Sequence, residues 1–183
     1  MSYAIGLRDL HFAKGMADGE YDVPKKLSDA ITATITPNYT VTTLYGDDRA
    51  VAVANALGDI DIQINTTDLT PEDYDLLMGT TKNADGVIED SVDDVAPYGA
   101  LSFRLPLENG GFKYYTYFKG RFQPPGSTHN TKGGSVEFQT PTISGKFMAR
   151  EDGKWRAHVV DADGSSAVAA AWFDSVYKPT PEV

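Results

Sequence analysis

Few residues of this chain are placed to do chemistry. His11, His129 and His158 lie far apart in sequence and show no metal-ligand spacing. His158 sits in the middle of a predicted strand, where a surface or packing role accounts for it. Asp59 and Asp61 could be paired carboxylates in a glycosidase-like site, but no other residue supports that chemistry. Alternation along the same stretch, however, explains Asp61 as a solvent-face residue. Asp161-Ala-Asp163 begins like a calcium loop but lacks the glycine at position six and the bidentate glutamate at position twelve. Glu89, Asp90, Asp93 and Asp94 form an acidic run of the kind that usually marks a solvated loop. No nucleophile elbow, Walker loop or dinucleotide fingerprint occurs. Without cysteine there is no disulfide and no thiolate metal site. The residues therefore nominate no catalytic, cofactor-binding or metal site, and an enzyme is not expected. Tyr114, Tyr115 and Tyr117, interleaved with Lys113 and Lys119, could form a stacking platform for nucleic acid or sugar. A strand packed on both faces is the simpler account in so acidic a chain.

The formal net charge is −10, which argues against conventional phosphate binding. Such a surface serves solubility, or keeps a protein near DNA without sticking to it; charge does not separate the two. At 183 residues the chain fits one domain with a sizeable core. No apolar run approaches the roughly 18 residues of a membrane span. No signal-peptide pattern opens the sequence, so a cytoplasmic compartment is expected.

The elements that must position these residues are mostly strands. Ile60, Ile62 and Ile64 alternate with Asp61, Gln63 and Asn65, a half-buried strand. Thr70-Pro-Glu-Asp73 follows: a hydroxyl cap, a proline suited to the first helical position, and two acids beside the positive end of the dipole. Gly79 is the natural stop. So short a helix must be held by packing Tyr74, Leu76, Leu77 and Met78 onto the isoleucine face.

Upstream, Gly6–Lys14 reads as a strand and Met16–Glu20 as a turn. Ala30–Thr36 reads as a second strand, with Ile31, Ala33 and Ile35 inward and Pro37 ending it. Asn38–Leu57 shows neither a helical stripe nor a long strand alternation, yet it is rich in small apolar residues. A long connection of this kind is usually functional. It packs either against a neighbouring chain or as a flap on its own core.

Downstream, a short strand is expected around Val87-Ile88. A hairpin spans Pro97–Arg121 about Glu108-Asn-Gly-Gly111, with aromatic residues on both faces of its return strand. Ser127–Gly134 is polar. Ser135–Met148 reads as a strand, with Val136, Phe138 and Thr140 on one face before Pro141 interrupts it. Trp155–Val160 reads as another strand. Ala167–Tyr177 reads as a final helix with Val168, Trp172 and Val176 on one stripe.

An ordered set of short motifs carries a family resemblance. They are Gly6-Leu-Arg-Asp-Leu10, Leu44-Tyr-Gly-Asp-Asp48, Asp68-Leu-Thr-Pro-Glu72, Pro97-Tyr-Gly-Ala-Leu101, Lys119-Gly-Arg-Phe122, Phe138-Gln-Thr-Pro-Thr142, Arg150-Glu-Asp-Gly153 and Trp172-Phe173. Together they resemble the major tail protein, or tail tube protein, of long-tailed non-contractile bacteriophages of Gram-positive hosts.

The resemblance implies an antiparallel β-sandwich or distorted barrel with a short flanking helix, like the type VI secretion tube protein. One tail-tube domain covers residues 1–178, followed by a tail at 179–183. It implies hexameric rings stacked into a tube in the virion, assembled in the host cytoplasm. Phage DNA passes through the lumen without specific binding. The partners are further copies of the chain, with terminator, tape measure and baseplate or distal tail proteins; no membrane, metal or cofactor is implied.

The family's long inter-subunit loop falls at about 38–57. The expected contact residues are Thr40, Val41, Leu44, Tyr45, Asp47, Asp48, Arg49, Val51 and Val53. Asp59 and Asp61 are candidates for the lumen, and the N-terminal segment and Lys178–Val183 are expected to reach neighbours. The alternatives are a terminator or hub protein on the same fold, or a host- or carbohydrate-binding β-sandwich using the three tyrosines.

Overall fold

The structure, a computed structural model, describes residues 2–16, 19–127, 129, 131 and 138–179. Outside the described residues fall Ala17-Asp18 of the predicted first turn, most of the polar stretch 127–134, residues 135–137 of the predicted strand, and 180–183 of the tail.

Among the described residues the chain is mainly antiparallel β, with a short helix on the flank and a single helical turn near the C-terminus. In order it forms β1 (Arg8–Lys14), β2 (Lys25–Lys26), β3 (Ala30–Gly46), β4 (Arg49–Thr66), α1 (Pro71–Met78), β5 (Gly99–Pro106), β6 (Phe112–Phe122), β7 (Thr142–Met148), β8 (Arg156–Asp161) and α2 (Ala167–Ala170). One hydrogen-bonded path runs β2-β1-β5-β6-β7-β4-β3. The first half of β6 pairs with β8 and its end pairs with β7, so the sheet forks there.

The path curls on itself as an open, distorted barrel. Leu10 and Phe12 of β1 share one core with Ile60, Ile62 and Ile64 of β4, although these strands lie near opposite ends of the sheet. Leu77 and Met78 of α1 plug this core, and the three isoleucines are 0–1% exposed. The helix is built as its sequence dictates. Thr70 Oγ1 accepts from the Asp73 N–H at 3.2 Å, and Gly79 closes the end at φ +75°. Asp73 is buried, and its carboxylate accepts from the Ser28 hydroxyl at 2.5 Å, tying α1 to the link between β2 and β3.

Two glycines let the sheet curl. The Gly120↔Phe147 and Gly145↔Phe122 cross-strand pairs each set a ring over a bare backbone. A Cβ on Gly120 would meet the Phe147 ring at 2.2 Å. A bulge at Phe118-Lys119 of β6 reverses the alternation, so Tyr117 and Phe122 both face the main core.

Several expectations need correcting. Pro37 does not end the second strand: β3 continues through it to Gly46. As the sheet edge, β3 tolerates a residue that cannot donate. Ile31 does not face the core. It is the extra residue of a bulge between Ala30 and Thr32, and it is largely exposed. Around Val87-Ile88 there is only an isolated bridge from Lys82 to Ile88. Of the strand read over Ser135–Met148, the described residues 138–141 are not in regular strand, β7 begins at Thr142, and Phe138 is exposed. The C-terminal helix stops at Ala170 and gives way to turns, leaving Val168 exposed while Trp172 and Val176 are buried.

The return strand β6 is covered on both faces, and both covers come from this chain. Tyr115 and Tyr117 face the main core. Ala169, Trp172, Phe173, Val176 and Tyr177 cover Tyr114 and Phe118 on the other side. No neighbour is needed there.

Candidate functional site

The stretch expected to be a long loop is a β-hairpin arm. From Tyr39↔Leu57 to Gly46↔Arg49 the two strands pair only with each other, because β7 reaches β4 only from Ile60 to Asn65. Eight residues on one strand and nine on the other, at about 3.3 Å each, make a ribbon roughly 30 Å long. Asp47 and Asp48 form the two-residue turn, with φ +49° and +59°. Both lie in the left-handed region that tight hairpins require and that aspartate tolerates.

All the predicted contact residues lie on this arm. Thr40, Val41, Leu44 and Tyr45 are on β3; Asp47 and Asp48 make the turn; Arg49, Val51 and Val53 are on β4. The register assigns them to two faces. Tyr39, Val41, Thr43, Val53, Asn55 and Leu57 form one row. Thr40, Thr42, Leu44, Ala52, Ala54 and Ala56 form the other. Val51 is the extra residue of a bulge opposite Leu44-Tyr45. Tyr39, Val41, Leu44, Tyr45, Val51 and Val53 are 56–69% exposed. Outside the Asp47-Asp48-Arg49 tip, no residue from 38 to 57 is charged, in a chain that is 23% charged. Contiguous exposed apolar surface of this kind marks an interaction site.

Asp59 and Asp61 sit at the arm's root. A bulge places Gly58 and Asp59 opposite Asn38, where the arm leaves the body. Asn38 Nδ2 donates to Asp59 Oδ1 at 3.0 Å and to Asp61 Oδ2 at 2.8 Å. Lys146 Nζ binds both carboxylates, that of Asp61 at 2.9 Å. Lys146 stands directly across from Arg121, a like-charge pair that the two aspartates offset. Hydrogen bonds from Lys146, then from Asn38, hold both carboxyls below their usual range. The same contacts push Lys146 up to about 12. As lumen candidates these aspartates are therefore not free negative charge. Asn38 and Lys146 were not legible as partners, because only the bulge and the β4–β7 register bring them there.

The tyrosine platform is not formed. Tyr114 and Tyr117 are buried and Tyr115 is partly buried against the main core. Rings packed on both sides of β6 offer no flat face to a sugar or base. His11 stacks on Phe173 and His158 on Tyr115. Asp161 Oδ1 accepts from the N–H groups of Gly164 and Ser166, which makes a turn. Among the described residues no three His, Cys, Asp or Glu side chains gather as a metal site. Among the same residues no helix is long and apolar enough to cross a membrane.

The fold and site thus define a class: an antiparallel open barrel that carries a hairpin arm uncharged outside its tip. No protein-family model matches the chain, and no curated protein matches it.

Proposed function

We propose that this chain is a structural, self-assembling protein: a tail tube subunit that forms stacked hexameric rings around a channel for phage DNA. One observation carries the reading. The arm exposes apolar side chains on both faces, a surface that a solitary soluble protein has no use for. The ordered motifs are consistent with it, and three of them fall at structural keystones. Leu44–Asp48 includes the arm's turn, Asp68–Glu72 caps α1, and Lys119–Phe122 holds the glycine–aromatic pairing. Ring closure uses head-to-tail contacts between identical copies, and stacking repeats a second such contact along the axis.

The test is electron microscopy of the concentrated protein at several salt levels, with sedimentation alongside. Hollow tubes or stacked rings with six-fold end views are expected. Replacing residues 40–55 by a two-residue turn abolishes them. Single rings that never stack would favour a terminator or hub. A chain that stays monomeric at the highest attainable concentration overturns the reading.

A further inference from the structure

The inference rests on the self-assembly reading above, and concerns what covers the arm. The two halves of β4 are written differently. From Asp59 to Asn65 apolar residues alternate with polar ones, so one face is solvated. From Ala50 to Leu57 valine and leucine alternate mainly with alanine, and neither face carries charge. Sheets covered on both faces are built from strands that read as near-continuous apolar runs, and this half of β4 reads that way while its residues 50–56 stand exposed.

The arm's two faces are also unequal. One presents Tyr39, Val41 and Val53 as knobs, with Thr43 and Asn55 among them, while Leu57 at the root packs on the chain's own core. Across most of its length the other offers Thr40, Thr42, Ala52, Ala54 and Ala56 as hollows, with Leu44 projecting near the tip. Large-on-small packing is what allows two sheet faces to interdigitate at about 10 Å.

We propose that arms of neighbouring copies stack on one another, the large-residue face of one against the small-residue face of the next. The occupant is a second copy for two reasons. Copies that each carry −10 repel, so they meet best through surface without charge, and the arm supplies it. The hollows of the arm also match its own knobs. Because the two faces differ, the contact is head-to-tail, and each arm has one neighbour on each side.

The chain has no cysteine, so two single-cysteine variants report the geometry. V53C marks the large face and A54C the small one. Each is oxidised under assembling conditions, alone and as an equal mixture. A cross-linked dimer is expected in the mixture and lost in either variant alone. The A54W variant, which fills a hollow, is expected to lose assembly while its melting temperature stays that of the parent. Particles that form without cross-linking in the mixture, or that cross-link equally in one variant alone, overturn arm stacking and leave the tube reading standing. Absence of particles from the parent chain overturns both.

Discussion

Single residues decide where this sheet can bend and where its arm is anchored. Gly120 has no room for a methyl group: the Phe147 ring would lie 2.2 Å from a new Cβ. Gly120→Ala would ordinarily gain a little through the unfolded chain. Here overpacking wins, and a loss of about 1–3 kcal/mol is expected. Denaturant titration should show a lower midpoint with unchanged slope. The root clamp makes a different prediction. Asp59 and Asp61 have folded-state values below the ordinary 3.8. Their contribution is complete above that value and is lost as pH falls through the lowered folded value. Lys146 is raised from 10.5 to about 12, so its contribution is complete below 10.5 and is lost as pH rises through about 12. Lys146→Met should shift both aspartate titrations upward by NMR, most at low salt, since the cluster is exposed and screened. Unmoved titrations would mean that Lys146 does not hold them.

Elements differ in how plainly the sequence declares them. The Thr70–Gly79 helix was fully legible, because cap, first-turn acids and stop are local chemistry. The Ile60–Ile64 strand was legible because one face meets water. The arm was not, because a strand whose two faces are both uncharged gives no period-two contrast in polarity. Its one local signal, Asp47-Asp48 between apolar runs, is weaker than Asn-Gly. The Phe118-Lys119 bulge and the C-terminal cover over Tyr114 depend on long-range packing that spacing does not encode. The arm and the barrel should also differ in exchange behaviour. In the isolated subunit the amides of 40–56 sit in a two-stranded ribbon without a core and should exchange quickly. Those of 60–65, paired on both sides by β3 and β7, should exchange slowly. On assembly the arm alone should gain large protection. An arm already protected in the monomer would show that it folds back on its own body.

At the scale of the whole molecule, charge opposes association and the arm favours it. With −10 on each copy, approach of two subunits is repulsive at low ionic strength. The repulsion reaches across a Debye length, about 30 Å at 0.01 M and about 10 Å at 0.1 M. The arm, roughly 30 Å long, extends across that range a surface that is uncharged up to its Asp47-Asp48-Arg49 tip. Salt should therefore lower the concentration at which particles form, and excluded salts such as sulfate should lower it further by strengthening apolar contact. Light scattering against concentration at a series of chloride levels, repeated in sulfate, measures this. The opposite slope, with particles dissolving as salt rises, would mean that ion pairs join the copies. The contact would then lie among the charged loops, such as Glu89–Asp94 and Arg150–Asp152, and not along the arm. The arm-shortened chain is the control. Its net charge stays within a unit of the parent's, because Asp47, Asp48 and Arg49 sum to −1. It should stay monomeric at every salt level if the uncharged ribbon, and not charge screening alone, drives assembly.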